Sequence, residues 1–362
     1  MRLRIVVGVA VAALLAGGVG FARAQGPAFS QVVVLGDSLS DNGNLYALAG
    51  LPTYPYWEGR ISNGPVAVEH LAQSLGVLLT DFAWAGATTG VGNYLDDGTV
   101  DTFGFYPLPG MTTAFQRALM TGAFPVDLDA LYVVWGGPND FWDVTDQASA
   151  AVAIQKAVTR LVTMVGQLQS LGAKQILVLN MPDLGKTPSL LASGPAASYF
   201  FTQVSMGFND ALKAGLPAGV RYFDTLTWGW AVLANPAAYG FTNVTDACFT
   251  GMSLCANPGE YFYWDDEHPT TAGHARLAEA VMGGLAQTVV IGGCDSGVPD
   301  VLAGGGFTIA ELVAHAAAGA RNHGQFVSGV ASITNELVAG GVITGKQKGA
   351  IQGCAGRSRQ RP

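Results

Sequence analysis

The sequence opens its folded part with an apolar stretch that turns polar, Val32-Val-Val-Leu-Gly-Asp-Ser-Leu-Ser-Asp-Asn-Gly-Asn44. The unbroken run Val32–Leu35 is typical of a β-strand that helices cover on both faces. Gly36 frees the backbone at the end of that strand, and Asp37 can accept hydrogen bonds from the N–H groups of a helix start. Ser38 is therefore predicted at a strand's carboxyl end beside a helix N-terminus, where backbone donors favour negative charge. The same residues could also form only a turn.

The N-terminal residues differ from the rest of the chain. Two arginines precede an apolar run from Ile5 to Leu15, and Ala22-Arg-Ala24 has the pattern of a cleavage site. We interpret residues 1–24 as a signal peptide, which predicts a secreted protein, either extracellular or periplasmic. The apolar run is short and glycines interrupt the residues after it, so no integral membrane segment is expected after cleavage.

Composition and charge limit the classes of partner. The chain has 362 residues, of which 49% are hydrophobic and 12% charged, so it can bury a large core. Its formal net charge of −8 becomes −11 when a signal peptide carrying three arginines is removed. Such an acidic chain is not expected to bind nucleic acid or an anionic membrane as its main partner.

The four cysteines all lie in the last third of the sequence. In an exported protein they are expected to form two disulfides, and three pairings are open. We favour the pairing of neighbours, Cys248 with Cys255 and Cys294 with Cys354. A zinc site is not expected, because thiolate spacing such as C-x-x-C is absent from the sequence.

Apolar runs alternate with helical patterns between residues 25 and 290. After the first strand, strands are predicted at 77–83, 131–135, 175–180 and 220–224, and helices at 66–75, 154–168, 196–213 and from 271. Strands that alternate with helices imply right-handed crossovers and a parallel sheet with helices on both faces. In such a sheet the functional side chains collect at the carboxyl ends of the strands.

Residues 291–362 have a different character. The segment 297–306 resembles a linker, and Thr308-Ile-Ala-Glu311 matches a capping box that starts a helix. We predict a small helical appendage that a Cys294–Cys354 disulfide would tie down. A packing or stabilising role is preferred for it over a catalytic one.

The polar residues that follow the predicted strands suggest an acyl-transfer site. A serine hydroxyl is a poor nucleophile until a base takes its proton, and an acid must hold the imidazole of that base. Ser38 follows the first strand, and Asp265-x-x-His268 supplies acid and base on one short turn. The backbone N–H groups of Ser38 and Gly86 and the side-chain amide of Asn139 can stabilise an oxyanion. Taken singly, each residue also has a structural explanation as a turn, a cap or a core histidine.

These residues resemble a known family. Its four sequence blocks have counterparts here, in the same order, in Gly36-Asp-Ser-Leu39, Gly86, Gly137-x-Asn-Asp140 and Asp265-x-x-His268, which are similar to those of the GDSL, or SGNH, hydrolases. The longer forms of the blocks, such as Ala85-Gly-Ala-Thr-Thr89, are similar to its bacterial and plant-type lipase, phospholipase and acyltransferase branch. The α/β-hydrolase alternative lacks its G-x-S-x-G motif in this sequence.

The resemblance implies a flavodoxin-like three-layer αβα sandwich with a parallel sheet and no cofactor. It also implies a catalytic triad of Ser38, His268 and Asp265, with Ser38, Gly86 and Asn139 forming the oxyanion hole. Asp265 is followed by Asp266 and Glu267, and only spacing and the family pattern select it as the acid. The resemblance does not extend to the residues after about 291.

Three functions are compatible with these features. The first is a secreted serine esterase or lipase that takes a small ester or lipid substrate and allows contact with a lipid surface. The second is a polysaccharide acetyl esterase, because Trp57, Tyr94, Phe105 and Trp142 could stack on sugars. The third is a non-catalytic surface-binding protein on the same scaffold, which the intact triad disfavours.

Overall fold

The computed structural model describes residues 29–93 and 108–358. The central sheet has five parallel strands in the order β2-β1-β3-β4-β5. Their bounds are Gln31–Gly36 (β1), Leu78–Asp81 (β2), Leu131–Trp135 (β3), Gln175–Leu179 (β4) and Arg221–Phe223 (β5). This is the strand order of flavodoxin-like folds, which confirms the predicted architecture. The proposed signal peptide lies outside the described residues, as do Tyr94 and Phe105.

Helices connect the strands and cover both faces of the sheet. The bounds are Asn44–Ala49 (α1), Ala67–Leu75 (α2), Met111–Thr121 (α3), Gln147–Ser170 (α4), Pro188–Ala192 (α5), Pro195–Gly215 (α6), Thr225–Ala234 (α7), Thr271–Leu285 (α8), Ile309–Gly319 (α9), His323–Ala339 (α10) and Gly345–Arg357 (α11). Two short strands, Asn243–Ala247 (β6) and Tyr261–Tyr263 (β7), pair outside the central sheet.

Alternate residues of the central strands pack on opposite faces, which creates two cores. Val33 lies in the core that α3, α4 and α6 cover, with Leu161 of α4 among its members. Val34 lies in the core on the other face, with Leu71 of α2 and Leu277 of α8. The β-branched run of β1 is thus buried on both sides, as its lack of alternation predicts.

Helix α4 needs separate mention because of its composition. Within the described part of the chain it is the one helix long and apolar enough to cross a bilayer. Its apolar stripe, which includes Leu161 and Leu168, is packed in the core against the sheet. Helix α4 is therefore an amphipathic helix of the layer that covers the sheet, and its apolar face is packed on the sheet.

The composition of residues 46–64, rich in proline, glycine and aromatic residues, predicts a loop, but the first of these residues belong to α1. The carboxylate of Asp41 accepts the backbone N–H groups of Gly43, Asn44 and Leu45, at 2.8, 2.6 and 3.2 Å. These bonds satisfy donors that a helix start leaves free, so a short helix forms where composition indicated none.

The C-terminal residues contain helices α9, α10 and α11, as predicted, and also strands. An antiparallel pair joins Thr288–Ile291 (β8) to Cys294–Pro299 (β9), and a second joins Leu302–Gly304 (β10) to Phe307–Thr308 (β11). The prediction of a linker at 297–306 is therefore wrong. The glycines of this segment lie at strand ends and in turns, and Gly304, Gly305 and Gly306 all have positive φ. The domain boundary at residue 291 stays a prediction.

A separate apolar core holds the C-terminal elements together, with Val330 of α10 and Ile351 of α11 fully buried in it. An ion pair of 3.0 Å between Lys213 and Glu311 links this part to α6. The disulfides are Cys248–Cys255 and Cys294–Cys354, which are the pairs favoured from the sequence. Two disulfides indicate that the chain folds in an oxidising compartment.

Candidate active site

The carboxyl ends of the strands bring distant residues together. Ser38 lies two residues after β1, and His268 lies in the turn between β7 and α8. The Ser38 Oγ and the His268 Nε2 are 2.8 Å apart, although 230 positions separate them in the sequence. The predicted nucleophile and the predicted base are thus within hydrogen-bond distance.

Asp265 holds both the imidazole and the turn that carries it. Its Oδ1 and Oδ2 lie 3.0 and 3.1 Å from the His268 Nδ1. Its Oδ1 also accepts the backbone N–H groups of Glu267 and His268, at 2.9 and 2.7 Å. When the ring is neutral and Nδ1 carries the proton bonded to the carboxylate, Nε2 faces the Ser38 hydroxyl as an acceptor, which is the tautomer that a general base needs. Among the three consecutive acids, Asp265 is the one that contacts the ring.

The charges of this pair stabilise each other. Burial alone would lower the pKa of His268, but the charge and hydrogen bond of Asp265 raise that pKa to about 9. Burial alone would raise the pKa of Asp265, but the positive charge of His268 and the hydrogen bonds from His268 and Glu267 hold it below its usual value. The imidazolium–carboxylate pair is therefore the favoured form at neutral pH.

The predicted oxyanion donors are the Ser38 N–H, the Gly86 N–H and the Asn139 side-chain amide. Among the described residues, neither the Ser38 N–H nor the Gly86 N–H donates a hydrogen bond. Gly86 has a φ of 78°, a backbone conformation that favours glycine. The Asn139 amide donates one N–H to the Ala87 carbonyl at 3.1 Å, and its Oδ1 accepts from Trp142 Nε1 at 3.2 Å. These two bonds fix the amide and leave its second N–H for a ligand.

Three buried aspartates support the loops of the site. Asp41 accepts the Ala85 N–H at 2.8 Å and so ties the segment before Gly86 to α1. Asp140 accepts the N–H and hydroxyl of Thr89, both at 2.8 Å. Asp37 precedes Ser38, and burial raises its pKa to about 7. Asp41 also caps the start of α1, and Asp140 ties the segment after Gly86 to the turn that carries Asn139.

A cavity of about 410 Å³ opens beside Ser38 and His268. Ser38 is 8% exposed and lies on its wall. Most other wall residues are apolar: Leu39, Phe141, Trp142, Leu184, Leu190, Phe201, Trp228, Trp230 and Leu233. Such a wall accommodates an apolar ligand group, and polar residues that also line the cavity, such as Asn139 and Lys186, can orient it.

Sequence reasoning missed two parts of the site. Tyr56 donates a hydrogen bond to the Asp265 Oδ2 at 3.0 Å. The wall formed by α5 and α7, with Leu190 and Trp230, was also not foreseen. The only sequence signal for Tyr56 is its place in a segment rich in aromatic residues and proline, a composition compatible with a loop that borders a pocket. Trp57 and Trp142, expected to be available for stacking, are 37% and 51% exposed.

No group of three or more His, Cys, Asp and Glu side chains in residues 29–93 and 108–358 is arranged to hold a metal ion. The described side chains can provide a nucleophile, a proton acceptor and hydrogen-bond donors for an oxyanion.

The chain is similar in sequence to known lipases, esterases and acyltransferases. Residues 32–281 match the family model described as GDSL-like Lipase/Acylhydrolase. The phosphatidylcholine-sterol acyltransferase of Aeromonas hydrophila is 28% identical over 313 residues, covering 70% of this chain and 89% of that protein. A GDSL esterase/lipase of Arabidopsis thaliana is 28% identical over 304 residues, covering 70% and 88%. Among solved structures, the acetylxylan esterase Axe2 of Geobacillus stearothermophilus has a TM-score of 0.40 at 14% identity, covering 72% of this chain and 96% of that one.

Proposed function

The chain belongs to the GDSL-like lipase/acylhydrolase family and is a carboxylic ester hydrolase, and from this premise we propose that it works through an acyl-enzyme on Ser38. The contact that supports this most directly is the 2.8 Å between Ser38 Oγ and His268 Nε2. The second support is the hydrogen bond that holds the opposite ring nitrogen to Asp265.

The mechanism has two steps. His268 takes the proton of Ser38 as its Oγ attacks the ester carbonyl, and the developing oxyanion accepts from the N–H groups of Ser38, Gly86 and Asn139. His268 then gives its proton to the leaving alcohol, and the acyl group stays on Ser38. In the second step His268 takes a proton from water as that water attacks the acyl carbonyl. His268 then returns the proton to the Ser38 Oγ as the bond between Ser38 and the acyl group breaks and the carboxylic acid leaves.

Asn139→Ala removes one of the proposed oxyanion donors. We expect kcat to fall about 10²- to 10³-fold, because a lost donor costs ~3 kcal/mol of transition-state stabilisation. KM should change little, since the donor acts on the oxyanion rather than on the bound ester. Steady-state kinetics with a p-nitrophenyl ester measures both constants. A rate within about twofold of the parent would point to a different donor.

The pH profile follows from the raised pKa of His268. The imidazolium cannot accept the Ser38 proton, so kcat/KM should rise about tenfold per pH unit and level off near pH 9, where the His268 pKa lies. A midpoint at or below about 6.5, the ordinary histidine value, would contradict the strong coupling to Asp265. The test is the rate of an uncharged ester from about pH 5 to about pH 10, a range that includes both the ordinary histidine pKa and the raised pKa of His268.

The cavity favours an acyl chain longer than acetyl. Each buried methylene contributes ~0.8 kcal/mol, so kcat/KM should rise about fourfold per added methylene until the cavity is full. A panel of p-nitrophenyl esters of graded acyl length tests this. Leu190→Trp, which places a larger side chain in the cavity wall and so narrows the cavity, should reduce the rates of long esters and leave the rate of the acetate ester unchanged. Acetate as the best acyl group, together with release of acetate from an acetylated polysaccharide, would favour the carbohydrate esterase instead.

Secretion is part of the proposal. The pattern of residues 1–24 and the two disulfides support export to the extracellular space or the periplasm. N-terminal sequencing of the protein recovered from outside the cytoplasm should begin near Gln25.

A further inference from the structure

A tyrosine that is distant in the sequence donates a hydrogen bond to the acid of the proposed triad. The Tyr56 hydroxyl lies 3.0 Å from the Asp265 Oδ2, and 209 positions separate the two residues. Asp265 is only 6% exposed, so its oxygens depend on protein donors. Backbone N–H groups hold Oδ1. Apart from the His268 ring, Tyr56 is the donor to Oδ2 in the described residues.

Aromatic contacts fix the Tyr56 ring. It meets Phe249 edge to face with centroids 5.7 Å apart, and Trp264 in the same way at 6.2 Å. Phe249 and Trp264 stack on each other at 5.8 Å. Edge-to-face and stacked pairs of this kind stabilise a defined ring orientation. The hydroxyl is thus directed at Asp265 by packing on two neighbouring rings.

The same aromatic cluster is bonded to the catalytic turn. The Phe249 N–H donates to the Trp264 carbonyl at 2.6 Å, and the Trp264 N–H donates to the His268 carbonyl at 2.7 Å. Phe249 follows Cys248, which the disulfide to Cys255 holds. Tyr56 therefore belongs to one packed unit with the turn that carries both Asp265 and His268.

We propose that Tyr56 is a positioning residue of this esterase, which holds the Asp265 carboxylate against the His268 ring through its hydroxyl. The inference rests on the proposed function of Ser38, His268 and Asp265. Burial, and then the charge of Asp265, raise the pKa of Tyr56, so the hydroxyl keeps the proton that it donates. The hydrogen bond from the Tyr56 hydroxyl partly neutralises the charge on the Asp265 carboxylate, and therefore also limits how strongly Asp265 stabilises the His268 imidazolium.

The test is Tyr56→Phe, which keeps the ring contacts and removes only the hydroxyl. We expect kcat to fall about tenfold with little change in KM, because the bond that is lost involves a charged acceptor. We also expect the acidic limb of the pH profile to move to higher pH, since Asp265 would then act on His268 with its full charge. The matched control is Tyr46→Phe, whose exposed hydroxyl makes no hydrogen bond in the described residues and which should keep both values.

A double-mutant cycle separates action through Asp265 from a merely structural role. In an Asp265→Asn background, Tyr56→Phe should have a clearly smaller effect on kcat than in the parent, because the two residues act as one unit. If Tyr56→Phe left both kcat and the acidic limb of the pH profile unchanged, the inference would be overturned. A fall in kcat that is equal in both backgrounds, or a limb that stays in place or moves to lower pH, would also overturn it. Loss of activity in Ser38→Ala, measured in parallel, shows whether the proposed function still stands when the inference fails.

Discussion

Ser38→Ala is expected to lower kcat by about 10⁴-fold or more, the scale seen when a catalytic nucleophile of this type is removed. The substituted side chain cannot form the acyl-enzyme, and His268 has no hydroxyl to deprotonate. The fold should persist, because the Ser38 side chain makes one hydrogen bond, to a ring that Asp265 also holds. The measurements are kcat for a p-nitrophenyl ester and the thermal unfolding midpoint.

Ser40→Ala is the matched control for this prediction. Ser40 is fully buried two residues away, and its Oγ has no hydrogen-bond partner in the described structure. Removing that hydroxyl should leave kcat at the parental value and should not lower the unfolding midpoint, because no bond is lost. If Ser38→Ala kept more than about 1% of the parental kcat, a loss of only ~2.7 kcal/mol, the acyl-enzyme on Ser38 would be excluded.

Asp265→Asn should produce the second large effect, a fall in kcat of about 10⁴-fold. An amide in this position can bond the His268 ring in the wrong tautomer, with the proton on the nitrogen that faces Ser38. Loss of the negative charge should also move the acidic limb of the pH profile to lower pH, because Asp265 contributes most to raising the pKa of His268. Steady-state kinetics across the pH range measures both changes.

Asp266→Asn removes the same charge one position away. The Asp266 side chain is exposed and makes no hydrogen bond in the described structure. A change in kcat of less than about twofold is expected, since water screens an exposed charge. Equal losses in the two variants would mean that the general negative field of this turn matters, rather than the specific bond from Asp265 to the imidazole.

Much of the fold and of the site was predictable because it follows from local patterns. The apolar run of β1 predicts a strand buried on both faces, and its parallel neighbours place Ser38, Gly86 and Asn139 after three successive strands. The spacing of Asp265 and His268 allows their contact within one turn. The structure adds the reason why Asp265 rather than Asp266 is the partner: the backbone N–H groups of Glu267 and His268 hold its Oδ1 toward the ring.

The remaining features depend on tertiary contacts that no local pattern encodes. Tyr56 lies in a loop, and its partner Asp265 is 209 positions away. The stacked pair of Phe249 and Trp264 forms only when β6, β7 and the Cys248–Cys255 loop are in place. The glycines at 304–306 were equally compatible with a linker and with hairpin turns, and only pairing of β10 with β11 distinguishes the two.

The central claim is that His268 activates Ser38 as a nucleophile, and covalent labelling tests it most directly. The folded protein is treated with a fluorophosphonate, which reacts with activated serines, and the modified residue is located by tandem mass spectrometry. We predict a single phosphonyl group on Ser38, and its absence in His268→Ala and in heat-unfolded protein. An unlabelled Ser38 in a preparation that still hydrolyses esters, or equal labelling without His268, would contradict the account.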